Sequence, residues 1–336
     1  MKTSTLALTL GDPAGVGPEI TVKAWQALRA SGPAFMVVGD FDALAAASGA
    51  GSSIVRRVGS AAQAAMVFPD AVPVLDLPLQ SRVVAGQPSS AHATGVIRWI
   101  ETAAGLALSG SVAGMVTAPI AKAPLYEAGF SFPGHTEFLA NLTMSADQDG
   151  SPGPVMMLTA GGLRAVLVTI HEAISAVPAK LTVEGIVMTG VVTAQALRND
   201  FGIPKPRLAV AALNPHAGES GALGREEISL IEPACRALSD LGVDCVGPRP
   251  ADTLFHPEAR AKYDAVVCMY HDQALIPVKM LDFWGGVNVT LGLPIVRTSP
   301  DHGAAFDIAG RGLARADSMI AAIRLADEIA ARRAQA

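Results

Sequence analysis

Apolar runs too short to be helices recur along this chain, and longer stretches of helical period lie between them. The runs are TLALTL, FMVVG, AGMVTA, RLAVAAL, DAVVCMY and VNVTLG. Near-continuous apolar character at this length predicts strands buried on both faces, as in parallel sheets. Between them lie VGPEITVKAWQALRA, ATGVIRWIETAAGLAL, TVEGIVMTGVVTAQALRND and REEISLIEPACRALSD. A last amphipathic stretch, ARADSMIAAIRLADEIAARRAQA, ends in Arg332 and Arg333, which suit the negative end of a helix dipole. Such alternation confines the chain to the α/β class with a mainly parallel sheet. One segment departs from it. PVMMLTAGGLRAVLVTI reads as two strands joined around Gly161-Gly162, a hairpin signal. An antiparallel insert of this kind predicts a second lobe and a place for a dimer interface.

At 336 residues the chain exceeds one ordinary domain and suits two lobes. The lobes are expected at 1–120 with 272–336, and at 121–271. Hydrophobic residues make up 50% and charged residues 16%, which supports a large core and excludes disorder as the main state. No apolar stretch approaches the roughly 20 residues that span a bilayer. The first apolar run is short for a signal peptide and lacks a small-residue cleavage site. A net charge of −5 supplies no field for nucleic acid. Cys235, Cys245 and Cys268 form no Cys-x-x-Cys pair, which argues against a disulfide framework or a thiolate zinc site. The expectation is a cytoplasmic protein with neither membrane nor nucleic acid as partner.

Two features bear on chemistry. The turn Gly11-Asp-Pro-Ala-Gly15-Val-Gly17 follows the first strand and precedes a helix opened by Pro18-Glu19. Its glycines match neither G-x-G-x-x-G nor the G-K-[ST] of a phosphate loop. Second, three apolar runs lead into histidines: LRAVLVTI into His171, RLAVAALNP into His216 and DAVVCMY into His271. Ligands of open α/β sheets bind at the carboxyl ends of strands. Three imidazoles meeting there would make a site with an open position, suited to Zn²⁺ or Co²⁺. A lone histidine at a strand end is as readily a hydrogen-bonded structural residue, and periodicity alone does not bring three together. The loops beyond add Asp272, Gln273 and Lys279, then Asn288, Arg297, Asp301 and His302. In SFPGHTEFLA, His135 and Thr136 follow a glycine in the manner of a helix N-terminus facing an anion. Lys279, Asn288, Arg297, His135 and Thr136 together suit a phosphate or carboxylate, although Lys279 or Arg297 alone reads as solvated surface.

GDPAGVGPE, TAPIAKAPLYEAGFSFPGHTEFLA, LNPHAGESGALGREE, ADTLF, MYHDQALIPVK and GVNVTLGLPIVRTSPDHGAAFDIAGRG closely resemble the 4-hydroxythreonine-4-phosphate dehydrogenase family of vitamin B6 biosynthesis. The resemblance covers nearly the whole chain. GDPAGVGPE and DHGAAFDIAG are also similar to shorter motifs of isocitrate and isopropylmalate dehydrogenases, which implies their two-lobed fold with a cleft between lobes bordered by the glycine turn. It implies His171, His216 and His271 as divalent-metal ligands at a dimer interface, with zinc the first choice and cobalt or magnesium as others. His92, His256 and His302 receive no metal role. His135, Thr136, Lys279, Asn288 and Arg297 match the family's substrate-binding residues. NAD is expected on loops around Asn214–Gly221 and Asp301–Gly310, which makes Asn214, Gly218, Gly221, Asp301, His302 and Gly303 its candidate contacts. The implied reaction is NAD-dependent oxidation and decarboxylation of 4-phosphooxy-L-threonine to 3-amino-2-oxopropyl phosphate and CO₂ by a homodimer. Lys279, Asp272 and Lys122 all stay open as the base. The alternatives are a sibling dehydrogenase for D-threonate or D-erythronate 4-phosphate and a more distant dihydrodiol dehydrogenase. From another class come a metal-dependent hydrolase or aldolase without NAD and a non-catalytic phosphoester binder.

Overall fold

A computed structural model describes residues 4–49, 51–132, 134–144 and 153–335. Its strands are β1 (Leu6–Thr9), β2 (Phe35–Gly39), β3 (Val55–Arg57), β4 (Val72–Asp76), β5 (Met115–Thr117) and β6 (Val155–Ala160), then β7 (Leu163–Leu167), β8 (Arg207–Ala211), β9 (Asp244–Arg249), β10 (Ala265–Cys268), β11 (Val287–Leu291) and β12 (Arg297–Pro300). The chain divides into two compact units, Met1–Gln148 with Leu293–Gln335, and Asp149–Gly292. The division expected from sequence crosses at 120 and 271, earlier in the chain at both points. The helix His135–Thr143 packs with the helix Ala93–Leu108 of the first unit, and the helix His271–Leu281 packs on β6 and β7 of the second. Packing partners set the unit, and composition along the chain carries no mark of them.

In the first unit the strands run β3-β4-β2-β1-β5-β12, every pair parallel. β1 and β2 are buried at every residue, as expected of strands covered on both faces. Trp25 and Trp99 are fully buried, and each spends its indole N–H on a backbone carbonyl, Phe68 O at 2.7 Å and Leu77 O at 2.9 Å. That leaves their ring area as net stabilisation without an orphaned donor. β12 (RTSP) lacks any apolar signal in the sequence, yet all four of its residues are buried.

In the second unit the order is β11-β6-β7-β10-β8-β9. β6 is antiparallel to both β11 and β7, while β7-β10, β10-β8 and β8-β9 are parallel. The expected hairpin is present: Ala160 pairs with Leu163, and Gly161 and Gly162 sit at φ 54° and 78°. A two-residue turn with positive φ at both positions matches the twist of the flanking strands, and glycine reaches it without a steric penalty. The fold class is α/β with a mainly parallel sheet and an antiparallel insert.

Candidate active site

The glycine turn after β1 is a poor phosphate cradle, because four of its N–H groups are already used. Asp12 N donates to Pro119 O (2.8 Å), Ala14 N to Asp12 Oδ1 (3.0 Å), Gly15 N to Asp12 O (3.0 Å) and Val16 N to Ala304 O (2.9 Å). Glu19 then occupies the first turn of the helix Gly17–Leu28, where it accepts from Ala314 N and pairs with Lys23. An acid already sits where an anion would bind.

The anion-type site of the first unit lies elsewhere, at the N-terminus of the helix His135–Thr143 and the start of β12. Arg297 is 3% exposed, and its guanidinium meets Thr117 Oγ1 at 2.7 and 3.2 Å from Nη2 and Nε. Burial lowers its pKa to about 10, and nearby Glu137 favours the charge, so it is a cation at neutral pH. A surface role for Arg297 is therefore corrected by the structure. His135 begins the helix, and its Nε2 is buried without a hydrogen-bond partner among the described residues. Burial first, and the Arg297 charge second, hold this imidazole well below its usual pKa, hence neutral. Thr136 is buried beside it. Lys122 is exposed, and its Cε lies 3.9 Å from where a Cβ on Gly134 would stand, next to this helix start. A buried guanidinium, a buried imidazole nitrogen and a helix N-terminus without a side-chain cap favour an incoming anion, against the Glu137 carboxylate in the same first turn. Burying a charge is costly, and an anion beside Arg297 offsets part of that cost.

The second unit carries the three strand-end histidines. β7, β10 and β8 are consecutive neighbours in its sheet. His171 follows β7, His271 opens the helix after β10, and His216 lies in the turn Pro215–Gly221 after β8. The rings of His171 and His271 stand 5.8 Å apart. His271 Nδ1 meets Asp272 Oδ1 at 2.7 Å, which leaves Nε2 for a ligand and is the outer contact that orients metal-binding histidines. His216 adopts φ 51° and heads six successive residues of positive φ, Ala217, Gly218, Glu219, Ser220 and Gly221 being the others. Left-handed geometry costs a non-glycine residue about 1–2 kcal/mol, so this turn needs external support. Glu227 provides it, accepting from Leu213 N at 2.9 Å, Asn214 N at 2.7 Å and Asn214 Nδ2 at 3.0 Å. A Cβ on Gly218 would lie 2.6 Å from Glu227 Oε2, so glycine is required there by packing as well as by φ.

Neutral imidazoles suit a divalent metal, and the His171–His271 pair with its Asp272 contact fits one. Among the described residues, however, no group of three His, Cys, Asp or Glu side chains is gathered closely enough to hold an ion; His216 is not brought to the other two. Asn288 lies on β11 with Oδ1 buried and unpartnered among the described residues. Lys279 sits eight residues beyond His271 on the same helix, its Nζ 5.2 Å from the Phe283 ring. Of the cofactor candidates, Asn214, Gly218 and Gly221 build the His216 turn, the Asn214 amide being taken by Glu226 and Glu227. Asp301 N is bonded to Ser318 Oγ (3.0 Å), exposed His302 has Nδ1 3.0 Å from Gly303 O, and a Cβ on Gly303 would meet open space. At the far end of that loop, Gly310 joins Gly15, Glu19, Asp40, Gln80 and Arg82 around a cavity of about 640 Å³.

Sequence reasoning missed Thr117, Glu137 and Glu227. Each acts on a group already noticed, and the only local signal was a threonine closing the otherwise apolar run AGMVT.

Ligand-type side chains delivered at the carboxyl ends of parallel strands are the arrangement of an α/β enzyme. The chain belongs to the pyridoxal phosphate biosynthetic protein PdxA family, whose model matches residues 32–326. A Caulobacter vibrioides 4-hydroxythreonine-4-phosphate dehydrogenase is 69% identical over 333 residues, covering 99% of each chain. The crystal structure of a 4-hydroxythreonine-4-phosphate dehydrogenase from Klebsiella pneumoniae is 40% identical, with a TM-score of 0.85 over 97% of this chain and 99% of that one. A terephthalate 1,2-cis-dihydrodiol dehydrogenase from Burkholderia xenovorans is 32% identical, with a TM-score of 0.63 over 96% and 97% of the two chains.

Proposed function

We propose that the chain oxidises and decarboxylates 4-phosphooxy-L-threonine, giving 3-amino-2-oxopropyl phosphate, CO₂ and NADH for pyridoxal phosphate synthesis. The observation that carries this reading is the buried Arg297 cation beside the His135 helix start, a site built for a phosphate dianion. Arg297, His135 and Thr136 grip the phosphate in the first unit, and exposed Lys122 adds charge at its edge. His171 and His271 would hold the divalent metal, zinc, cobalt or magnesium, with His216 supplied by the second copy of the homodimer. That metal supplies Lewis acidity at the substrate hydroxyl and NAD accepts the hydride. Asp272 keeps His271 oriented, which removes it from the candidate bases, and Lys122 belongs to the phosphate side. Lys279, two helical turns beyond His271, is left to accept the hydroxyl proton. Oxidation makes a β-keto acid, which loses CO₂ because the developing carbanion delocalises into the new ketone. NAD is placed on the first unit, where the loop from Asp301 to Gly310 leads to the 640 Å³ cavity. A homodimer completes the reading. Ile276, Met280, Phe283 and Trp284 expose 50–86% of their surfaces on and just beyond the helix that carries His271 and Lys279, and apolar groupings of this kind mark contact sites.

The test is NADH formation by the purified protein with 4-phosphooxy-L-threonine, and with D-threonate and D-erythronate 4-phosphates, each with and without a chelator. Chelator-sensitive turnover fastest on the amino substrate is expected. Turnover on a hydroxy acid alone would move the substrate to a sugar acid, and phosphate release without NADH would make the protein a hydrolase.

A further inference from the structure

Away from that site, at the edge of the second unit, two cysteines lie side by side. Cys235 lies on the helix Glu232–Asp240 and Cys245 on the edge strand β9, joined by a short turn. Cys245 Sγ donates to Cys235 O at 3.5 Å, and Ser239 Oγ, itself bonded to Cys235 O at 3.1 Å, is 3.9 Å from the same sulfur. Cys235 is buried, whereas Cys245 is partly exposed. Both line a cavity of about 720 Å³ that also presents Arg236 and Arg249.

We propose that Cys245 is a peroxide-reactive thiol and Cys235 its resolving partner, together forming a reversible disulfide in this cavity. Electrostatics favour the same division of labour. The neighbouring Cys235 thiol, opposed by burial and helped by Ser239, brings Cys245 down to about 7, while the same thiol pairing, then burial, raises Cys235. Thiolate character and exposure select the sulfur that oxidises first. The Cys245 thiolate attacks a hydroperoxide oxygen, the O–O bond breaks, and water or an alcohol leaves after protonation. Cys235 sulfur then attacks the Cys245 sulfenic sulfur; the S–S bond forms, the S–O bond breaks, and its oxygen leaves as water. Two thiols are oxidised, one peroxide is reduced, and both thiol protons end in the departing molecules. The buried Cys268, raised by burial alone, stays inert.

Native reduced protein is exposed to a small excess of hydrogen peroxide, quenched, alkylated and weighed intact, a readout independent of turnover. Loss of two hydrogens, with Cys235 and Cys245 both shielded from alkylation and dithiothreitol restoring them, is expected. Cys235→Ser should stop at a Cys245 sulfenic acid that dimedone captures, with Cys235→Ala as the second variant should serine disturb the helix. Wild-type protein that keeps all three thiols alkylatable, or that oxidises at Cys268 first, overturns the proposal.

Discussion

Arg297 and His135 show how burial turns ordinary side chains into a site. Arg297→Lys keeps a charge but loses the fork that reaches Thr117 and, in this reading, the phosphate. Hydrogen bonds to charged groups contribute about 1.5–3 kcal/mol, so KM for the phosphorylated substrate should rise roughly ten- to a hundredfold. Steady-state kinetics with an unchanged KM would remove Arg297 from the phosphate site. His135 has a pH consequence of definite sign. Its folded pKa lies below the unfolded value, so the unfolded chain binds the extra proton first. Stability is full above the unfolded imidazole pKa, near 6.5, and is lost as pH falls below it toward the folded value. The slope is at most ~1.4 kcal/mol per pH unit for one proton. Denaturant midpoints should fall through this window in the parent protein and fall less in His135→Gln. Equal slopes would mean that His135 is not buried neutral. The residue types were legible from sequence, since histidine, threonine and arginine in those loops announced anion chemistry. Burial was not. Arg297 read as surface because nothing local says that β12 is covered on both faces.

At the scale of elements, the glycine hairpin was readable because its cause is local. Two positive-φ residues between two apolar runs admit few other structures. Gly162→Val should destabilise by about 1–2 kcal/mol through left-handed strain, read as a lower denaturant midpoint with the secondary structure retained. A midpoint equal to the parent's would mean that the turn relaxes freely. The turn Pro215–Gly221 is the opposite case. NPHAGES promises a loop, but its six consecutive residues of positive φ are braced by Glu227, thirteen positions beyond Asn214, which ties three N–H groups. That support comes through space, on the π-helical segment Glu227–Ile231, and no pattern near His216 contains it.

For the whole molecule, self-association is the testable property. Met280→Arg places a charge in the exposed apolar cluster of the second unit. It should shift sedimentation from dimer to monomer and reduce turnover with it, if the active site draws on both copies. A protein that sediments identically and stays active would locate the interface elsewhere. The family resemblance, read from long ordered motifs, agrees with the match over residues 32–326, and the α/β class follows from the alternation of short buried runs with helices. Those properties are local in origin: strand length, helical period and turn chemistry are each written within a few tens of residues. The tertiary structure alone decided where the units divide, that RTSP is a buried strand, that the glycine turn has spent four of its N–H groups, and that Cys245 lies against Cys235. Each depends on which distant backbone or side chain arrives alongside. Desolvation, and with it the charge state and reach of a group, is set by those neighbours and not by the residue's place in the chain.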